Sequence, residues 1–386
     1  MLIIFLLLLL FAGYGVAEYA LHRRNLRDIP VRVQVNGTRG KSSVTRLIAA
    51  GLRAGGIPAV AKTTGTLPRF ITGDSDERPV RRLGKPNIAE QLRMVRMARE
   101  AGARALVFEN MSLDPQYQRI ESRMLVRPTD YVVTNVRADH LDVMGPTVRD
   151  IALTFRSAMP RTARVWSGEP RFREELSRPG SEVVRVDPAS VSDEEMQGFG
   201  YVEHRENVAL ALAVCAGQGV ERGAALAGMK RTLPDSGALR IHSLGRGGRR
   251  IELVNALAAN DPDSIGMIWR LVSPRYPLRA VLVNCRADRQ ERSRQLAELV
   301  AGWEAERYIA TGGLTRVFIQ RLRRLGVSPD RVLDLGDERP VAGVVGRVFE
   351  LAGTGKPLML FCCGNTVGYG RELTDRFVGE TSGSGH

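Results

Sequence analysis

The residues best suited to chemistry form one short run, Gly37-Thr38-Arg39-Gly40-Lys41-Ser42-Ser43, and the chemistry they suit is phosphate binding. Glycines let backbone amides turn inward, and a following helix N-terminus adds a positive field. Lys41 can then reach terminal phosphates while Ser42 holds Mg²⁺. The spacing departs from the general Walker A pattern, which would require glycine at Val35. The alternative is a glycine turn capping a helix, with Ser42 or Ser43 near the N-cap. The apolar strand before the run and the helix after it favour the phosphate loop. As a loop lysine, Lys41 is expected to be exposed and to contribute little to packing.

Two further polar segments end apolar runs. Glu109 follows Ala105 to Phe108, and Thr134-Asn135-Val136-Arg137-Ala138-Asp139-His140-Leu141-Asp142 closes the run from Tyr131. In a parallel sheet such strand ends gather along one edge, beside the phosphate loop. Ser42, Glu109 and His140 are therefore the expected metal ligands, for Mg²⁺ or, because imidazole is an unusual Mg²⁺ partner, Mn²⁺. Lys41, Glu109 and His140 are the expected catalytic residues. Taken singly, a strand-end Glu or His is more often a surface residue or a cap, and Asp139 could cap the next helix.

The elements that would position these residues alternate. Strand Val31 to Val35, loop Asn36 to Lys41 and helix Ser43 to Arg53 form the first unit, followed by a helix over Asn87 to Ala101 and the strands just named. Glu203 to Cys215 reads as a closing helix. A second alternating series has strands near Ala280 to Val283, Tyr308 to Ala310 and Leu358 to Phe361. The fold class is α/β. A mostly parallel sheet carries the phosphate loop over residues 22–245, a smaller Rossmann-like domain covers 246–380, and residues 381–386 form a disordered tail. The boundary is placed near Ser243 to Arg250.

Leu2 to Ala17 carries no charge, and His22, Arg23, Arg24 and Arg27 follow. Residues 1–21 read as an uncleaved single-pass membrane anchor, provided Tyr14, Glu18 and Tyr19 sit in the headgroup region. A cleaved signal peptide is disfavoured, since no basic stretch precedes the leucines. The basic flank places the catalytic domains in the cytoplasm. Four cysteines, two of them adjacent, suit a reducing compartment. A net charge of +14 invites nucleic acid, but the basic residues are scattered and aromatics make up only 6%. An anionic substrate or anionic lipid fits better. No zinc pattern or hydrolase elbow occurs, and His22, His242 and His386 lack partners at ligand spacing.

Together the phosphate loop, the strand-end Glu109 and Asn135 to Asp142 resemble the Mur ligase superfamily. Lys62-Thr63-Thr64-Gly65-Thr66, Asp139-His140-Leu141-Asp142-Val143-Met144-Gly145-Pro146-Thr147, Ala258-Ala259-Asn260-Asp261, Asn284-Cys285-Arg286-Ala287-Asp288-Arg289 and Gly364-Asn365 with Gly368 narrow the resemblance. They resemble the ligase subunits of capsule-type poly-γ-glutamate synthases (PgsB/CapB), over nearly the whole chain.

The resemblance implies ATP-dependent amide synthesis through an acyl phosphate, with glutamate and polyglutamate as substrates. It also implies small membrane-protein subunits as partners. It adds Asn207 near the adenine and Arg240 at the phosphates, and makes Asn260, Asp261, Arg286, Asp288 and Asn365 substrate candidates. Without it, Arg286 and Asp288 would read as a surface ion pair and Asn260 with Asp261 as a turn. Phe155 stands about where many superfamily members carry a carbamylated lysine that helps hold a second Mg²⁺, so one metal site is expected. Asn255 to Asp261 lacks the histidine of folylpolyglutamate synthases. The rival readings are a ligase acting on another carboxylate, such as a folate or cell-wall precursor, and a membrane-tethered ATPase that makes no bond.

Overall fold

The computed structural model describes residues 1–64, 68–82, 84–177, 182–199, 201, 203–234, 241–257, 259, 262–338, 340–366 and 368–379. The chain divides into two compact units, Met1–Gly237 and Ala238–His386. Each is a mixed α/β body around a mostly parallel sheet.

In the first unit the strands are β1 (Val31–Asn36), β2 (Ala59–Lys62), β3 (Arg69–Ile71), β4 (Glu77–Pro79), β5 (Ala105–Glu109), β6 (Asp130–Val133), β7 (Arg164–Ser167) and β8 (Val183–Arg185). Their spatial order is β4-β3-β2-β5-β1-β6-β7-β8. Only β3 is reversed, pairing antiparallel with β2 on one side and with the edge strand β4 on the other. β1 lies between β5 and β6, where successive strands pass from one side of the sheet to the other. In an open parallel sheet a ligand crevice forms beyond the carboxyl ends at such a point. Register brings the pieces level: Val35 pairs with Glu109, and Asn36 with Val133.

Helix Lys41–Ala54 follows β1 directly. Val44, Leu47, Ile48 and Leu52, spaced three and four apart, are fully buried against the sheet and helix Arg205–Gly217. Each leucine or isoleucine so buried contributes about 1.5–3 kcal/mol. The helix ends at Gly55, and helix Arg222–Arg231, which the sequence reading left unassigned, packs along it. Where Gly228 meets Ala50 and Ala54, a side chain larger than hydrogen would not fit.

The second unit contains β9 (Ile241–Arg246), β10 (Arg249–Asn255), β11 (Leu278–Cys285), β12 (Arg307–Gly312), β13 (Val332–Gly336) and β14 (Leu358–Gly364), ordered β13-β12-β11-β14-β10-β9. Only β9 is antiparallel. The domain boundary expected near Ser243 to Arg250 falls inside the β9–β10 hairpin and lies earlier, at Gly237/Ala238. The glycines in this stretch are the hairpin turn itself, with Gly247 and Gly248 at φ 56° and 76°. All four cysteines are free and buried.

Helix Leu2–Asp28 is long and apolar enough to cross a membrane by length and composition. It runs past the expected anchor boundary at residue 21. Seven further residues continue without a break, and His22, Asn25 and Leu26 are buried against the first unit. The tail at 381–386 lies outside the described residues.

Candidate active site

The Gly37–Ser43 loop is held in shape by the end of β6. Thr38 Oγ1 donates to Asn135 Oδ1 at 2.6 Å, and Arg39 N donates to the same oxygen at 3.1 Å. Thr134 Oγ1 and Asn135 Nδ2 donate to Arg39 O at 2.6 and 3.1 Å. Gly37, at φ 131°, lies so close to the Thr134 hydroxyl that a Cβ there would overlap it. Gly40, at φ 78°, backs onto Asn207, whose Oδ1 would stand 2.7 Å from an added Cβ. Both glycines are thus required by backbone angle and by space.

Lys41, Ser42 and Glu109 converge at the mouth of this loop. Ser42 Oγ donates to Glu109 Oε2 at 2.8 Å, and Thr64 N donates to the same oxygen at 2.6 Å. Lys41 Nζ donates to Gly37 O at 2.9 Å. Contrary to the expectation of an exposed loop lysine, Lys41 is partly buried. Burial lowers its pKa, against the opposing pull of the Glu109 and Asp139 charges.

Asp139 does not cap the following helix. Its carboxylate pairs with Arg39 at 3.4 Å. His140 occupies the N-cap position of the short helix Leu141–Met144 in a left-handed conformation, φ 49°, with its ring 3.6 Å from Asp139 and half exposed. Gly37, Lys41, Thr64, Glu109, Asp139 and His140 all line one cavity of about 240 Å³. Among the described residues no three His, Cys, Asp or Glu side chains form a ready metal cluster. The Ser42 hydroxyl and Glu109 carboxylate are hard oxygen donors of the kind Mg²⁺ takes, leaving most of its coordination to phosphate and water. Phe155 is buried beside Ile151 and Ala152 and forms apolar cavity wall, so its position offers no ligand.

Several residues that shape this cavity are not among the expected site residues. Asn36 Nδ2 donates to Gln118 Oε1 and Tyr131 Oη at 2.9 and 2.7 Å, fixing the cavity floor. Asn135 and Thr64 act through the bonds given above. Asn135 and Thr64 lie in segments that carry the resemblance and Asn36 directly precedes the loop, but no segment says which partner each side chain bonds.

Lys62, at the head of the Lys62-Thr63-Thr64 segment, is fully buried and ion-paired with Glu90 at 2.7 Å. Arg82 holds the same carboxylate at 2.7 Å. Burial pushes the Lys62 pKa down, opposed by Glu90. The neighbouring Glu121 carboxyl, raised by burial, accepts from Gln91 Nε2 and from Met111 N, which belongs to the cavity wall. Glu90→Ala should cost roughly 3–5 kcal/mol, because it strands a buried ammonium. The deficit should shrink as pH rises and Lys62 loses its proton. Urea unfolding at pH 7 and pH 9.5 checks this, and a cost that does not depend on pH contradicts it.

The remaining candidates separate. Asn207 is buried behind Gly40 and donates to Glu203 Oε1 at 2.8 Å, so it supports the loop directly. Ser43 follows Ser42 in the first turn of its helix. In the second unit, Arg286 and Asp288 form a two-point ion pair at 2.7 and 3.0 Å. Asn365 is nearly buried, its Nδ2 donating to Asn284 O at 3.2 Å while Asn284 Nδ2 donates back to Asn365 O at 2.6 Å. These bonds clamp the ends of β11 and β14. Arg240, Asn260 and Asp261, with Ala258, Gly65 and Thr66, lie outside the described residues.

Residues 35–229 match the Mur ligase middle domain, and residues 241–380 match the poly-gamma-glutamate synthase CapB C-terminal domain. The chain is 36% identical over 331 residues to the PGA synthase CapB of Bacillus subtilis (strain 168), covering 83% of this chain and 84% of that one. It is 37% identical over 314 residues to the capsule biosynthesis protein CapB of Bacillus anthracis, covering 78% and 67%. Among solved structures it resembles a bifunctional folylpolyglutamate synthase/dihydrofolate synthase from Yersinia pestis, complexed with AMPPNP and Mn ion. That likeness has a TM-score of 0.62 and 14% identity, and covers 93% of this chain and 91% of that one. With the phosphate loop, Glu109 and the two-sheet architecture already in place, these matches mean that the chain belongs to the CapB family of poly-γ-glutamate synthase ligases within the Mur ligases, and is an ATP-dependent amide-bond ligase.

Proposed function

We propose that this ligase polymerises glutamate into poly-γ-glutamate, using ATP to make an acyl phosphate at the accepting carboxylate. The carboxylate oxygen attacks the γ-phosphorus and ADP leaves. The amine nitrogen of the incoming glutamate then attacks the acyl carbon, phosphate departs and the amine loses a proton. The observation that carries this reading is the meeting of Lys41, Ser42 and Glu109 at one loop mouth, in a chain whose relatives are named for this polymer.

Lys41 would leave the Gly37 carbonyl to neutralise charge on the transferring phosphoryl group, where fixed positive charge contributes most. Ser42 and Glu109 would hold Mg²⁺, or Mn²⁺, with His140 an added ligand at the cavity rim. The metal when bound supplies charge neutralisation between the phosphates. Thr38, Arg39, Gly37, Gly40 and Ser43 would frame the phosphates, Asn207 the nucleotide base, and Arg240 would add a further contact to the phosphates. Asn260, Asp261, Arg286, Asp288 and Asn365 remain candidates for the glutamate side.

Helix Leu2–Asp28 would anchor the chain in the cell membrane with both units in the cytoplasm, beside small membrane-protein subunits of the same complex. The test is to incubate membranes carrying the protein with ATP, Mg²⁺ and labelled glutamate. We expect ADP and phosphate release that depends on glutamate, and a labelled polymer that γ-glutamyl hydrolase degrades. ATP hydrolysis indifferent to glutamate, or label appearing only on a folate or cell-wall precursor, overturns the reading.

A further inference from the structure

Where the N-terminal helix enters the first unit, four arginines surround a second cavity, of about 260 Å³, lined by Arg23, Leu26, Arg27, Arg32 and Arg127. Its position follows from the helix. Leu2 to Leu21 is exposed throughout, and burial begins at His22. At about 1.5 Å per residue, twenty residues span roughly 30 Å, the thickness of a bilayer's hydrocarbon core. Arg23 and Arg27 then stand about half a turn and under two turns further, at the depth of the lipid phosphates. Tyr19, one turn before Arg23, takes a hydrogen bond from its Nη1 at 3.3 Å, with the guanidinium 5.9 Å from the ring centre. A tyrosine with its hydroxyl turned to a cation is what an interfacial aromatic presents.

The cavity is built rather than incidental. Arg32 Nε donates to Arg127 O at 2.8 Å, and Arg32 Nη1 donates to Leu26 O and Ile29 O at 3.1 and 2.6 Å. One side chain thus ties the helix end, β1 and the Arg127 turn together. Arg127 holds a left-handed conformation, φ 48°. No carboxylate lines the cavity among the described residues, and Asp28, adjacent to Arg27, is engaged by Arg99 at 2.6 Å. Four guanidinium groups without an acid among them leave an excess of positive charge. Arginine's planar fork is suited to phosphate oxygens.

The geometry points to a binding site for the phosphate of an anionic lipid headgroup, formed by Arg23, Arg27 and Arg127 on the frame of Arg32. The assignment rests on the anchor reading above, because only a spanning helix brings these arginines to headgroup depth. It differs from the polymerising site, which is the cavity at the phosphate loop.

The test uses the full chain purified in a neutral detergent, titrated by calorimetry with dihexanoyl phosphatidylglycerol. Dihexanoyl phosphatidylcholine, inorganic phosphate and a decaglutamate peptide are the other arms. Arg23→Gln/Arg127→Gln removes two cations without touching the Arg32 frame, and Arg23→Lys/Arg127→Lys keeps the charge without the fork. We expect phosphatidylglycerol to bind tighter than phosphatidylcholine or free phosphate, and the glutamine pair to weaken it roughly tenfold or more, since each basic residue near anionic lipid contributes about 1 kcal/mol. The lysine pair should fall between. Glutamate-dependent ADP release in detergent should be unchanged, showing that the variants fold. Equal affinity for phosphatidylcholine, no loss in the glutamine pair, or phosphate binding as tightly as the lipid overturns the site. Decaglutamate binding that the glutamine pair abolishes assigns the cavity to the polymer instead. Carbonate extraction of wild-type membranes tests the anchor separately: release of the full chain refutes the span, whatever the titration gives.

Discussion

Lys41→Met should lower glutamate-dependent ADP release on the order of 10³-fold while leaving the protein at least as stable at neutral pH. The loss follows from removing the Lys41 ammonium at the loop mouth, placed 2.9 Å from the Gly37 carbonyl and beside Glu109. The stability follows from the same surroundings. Burial holds the Lys41 pKa below its ordinary value, so the folded chain binds this proton more weakly than the unfolded chain. In the interval between the lowered value and the ordinary one, the unfolded state carries more protons, and stability rises with pH. Methionine has no proton to lose and should flatten that part of the rise. Thermal melts from pH 7 to 10, alongside the ADP assay, check both halves. Near wild-type turnover would dismiss the phosphate-loop assignment.

Glu109→Gln should lower activity about 100-fold at millimolar Mg²⁺, with partial recovery as Mg²⁺ is raised. Glutamine can still accept from Ser42 Oγ and Thr64 N, so the loop geometry survives while the charge that attracts the cation is gone. Mg²⁺ titrations of wild type and variant separate this from misfolding, since a folding defect would not respond to the metal. A variant with unchanged Mg²⁺ dependence would remove Glu109 from the metal site.

The architecture was legible where one-dimensional signals are strong. β1, the Lys41–Ala54 helix, β5 and β6 stand within a residue or two of where hydrophobic runs and glycine punctuation put them, because buried parallel strands are nearly continuous apolar runs. The edge strands β4 and β8, and β3 beside β4, were invisible. Sequences such as Glu77-Arg78-Pro79 carry no hydrophobic alternation, and their strand character comes from a neighbour's backbone. The β9–β10 hairpin coincides with the expected domain boundary because a Gly247-Gly248 turn has the composition of either. At the site, residue types announced Lys41, Ser42 and Glu109. The staple between Thr38 and Asn135, a contact between residues 97 apart in sequence, could not be read from spacing. Lys62 belonged to a recognisable segment, yet its part in a buried ion pair depends on Glu90 and Arg82, which lie on separate elements.

Helix Leu2–Asp28 runs unbroken into the first unit, with no glycine or proline between Gly15 and Asp28 to act as a hinge. A flexible tether of 27 residues would let its cargo wander within roughly 5–6 Å times the square root of that number. A continuous helix with Arg32 gripping its last carbonyls behaves instead as a strut about 40 Å long. Tilting that strut must tilt the first unit with it. With the helix spanning a bilayer as proposed, a force or a neighbouring helix acting on it there would be felt as a rotation of the Gly37–Ser43 loop, and the same face of the unit would stay turned toward the lipid.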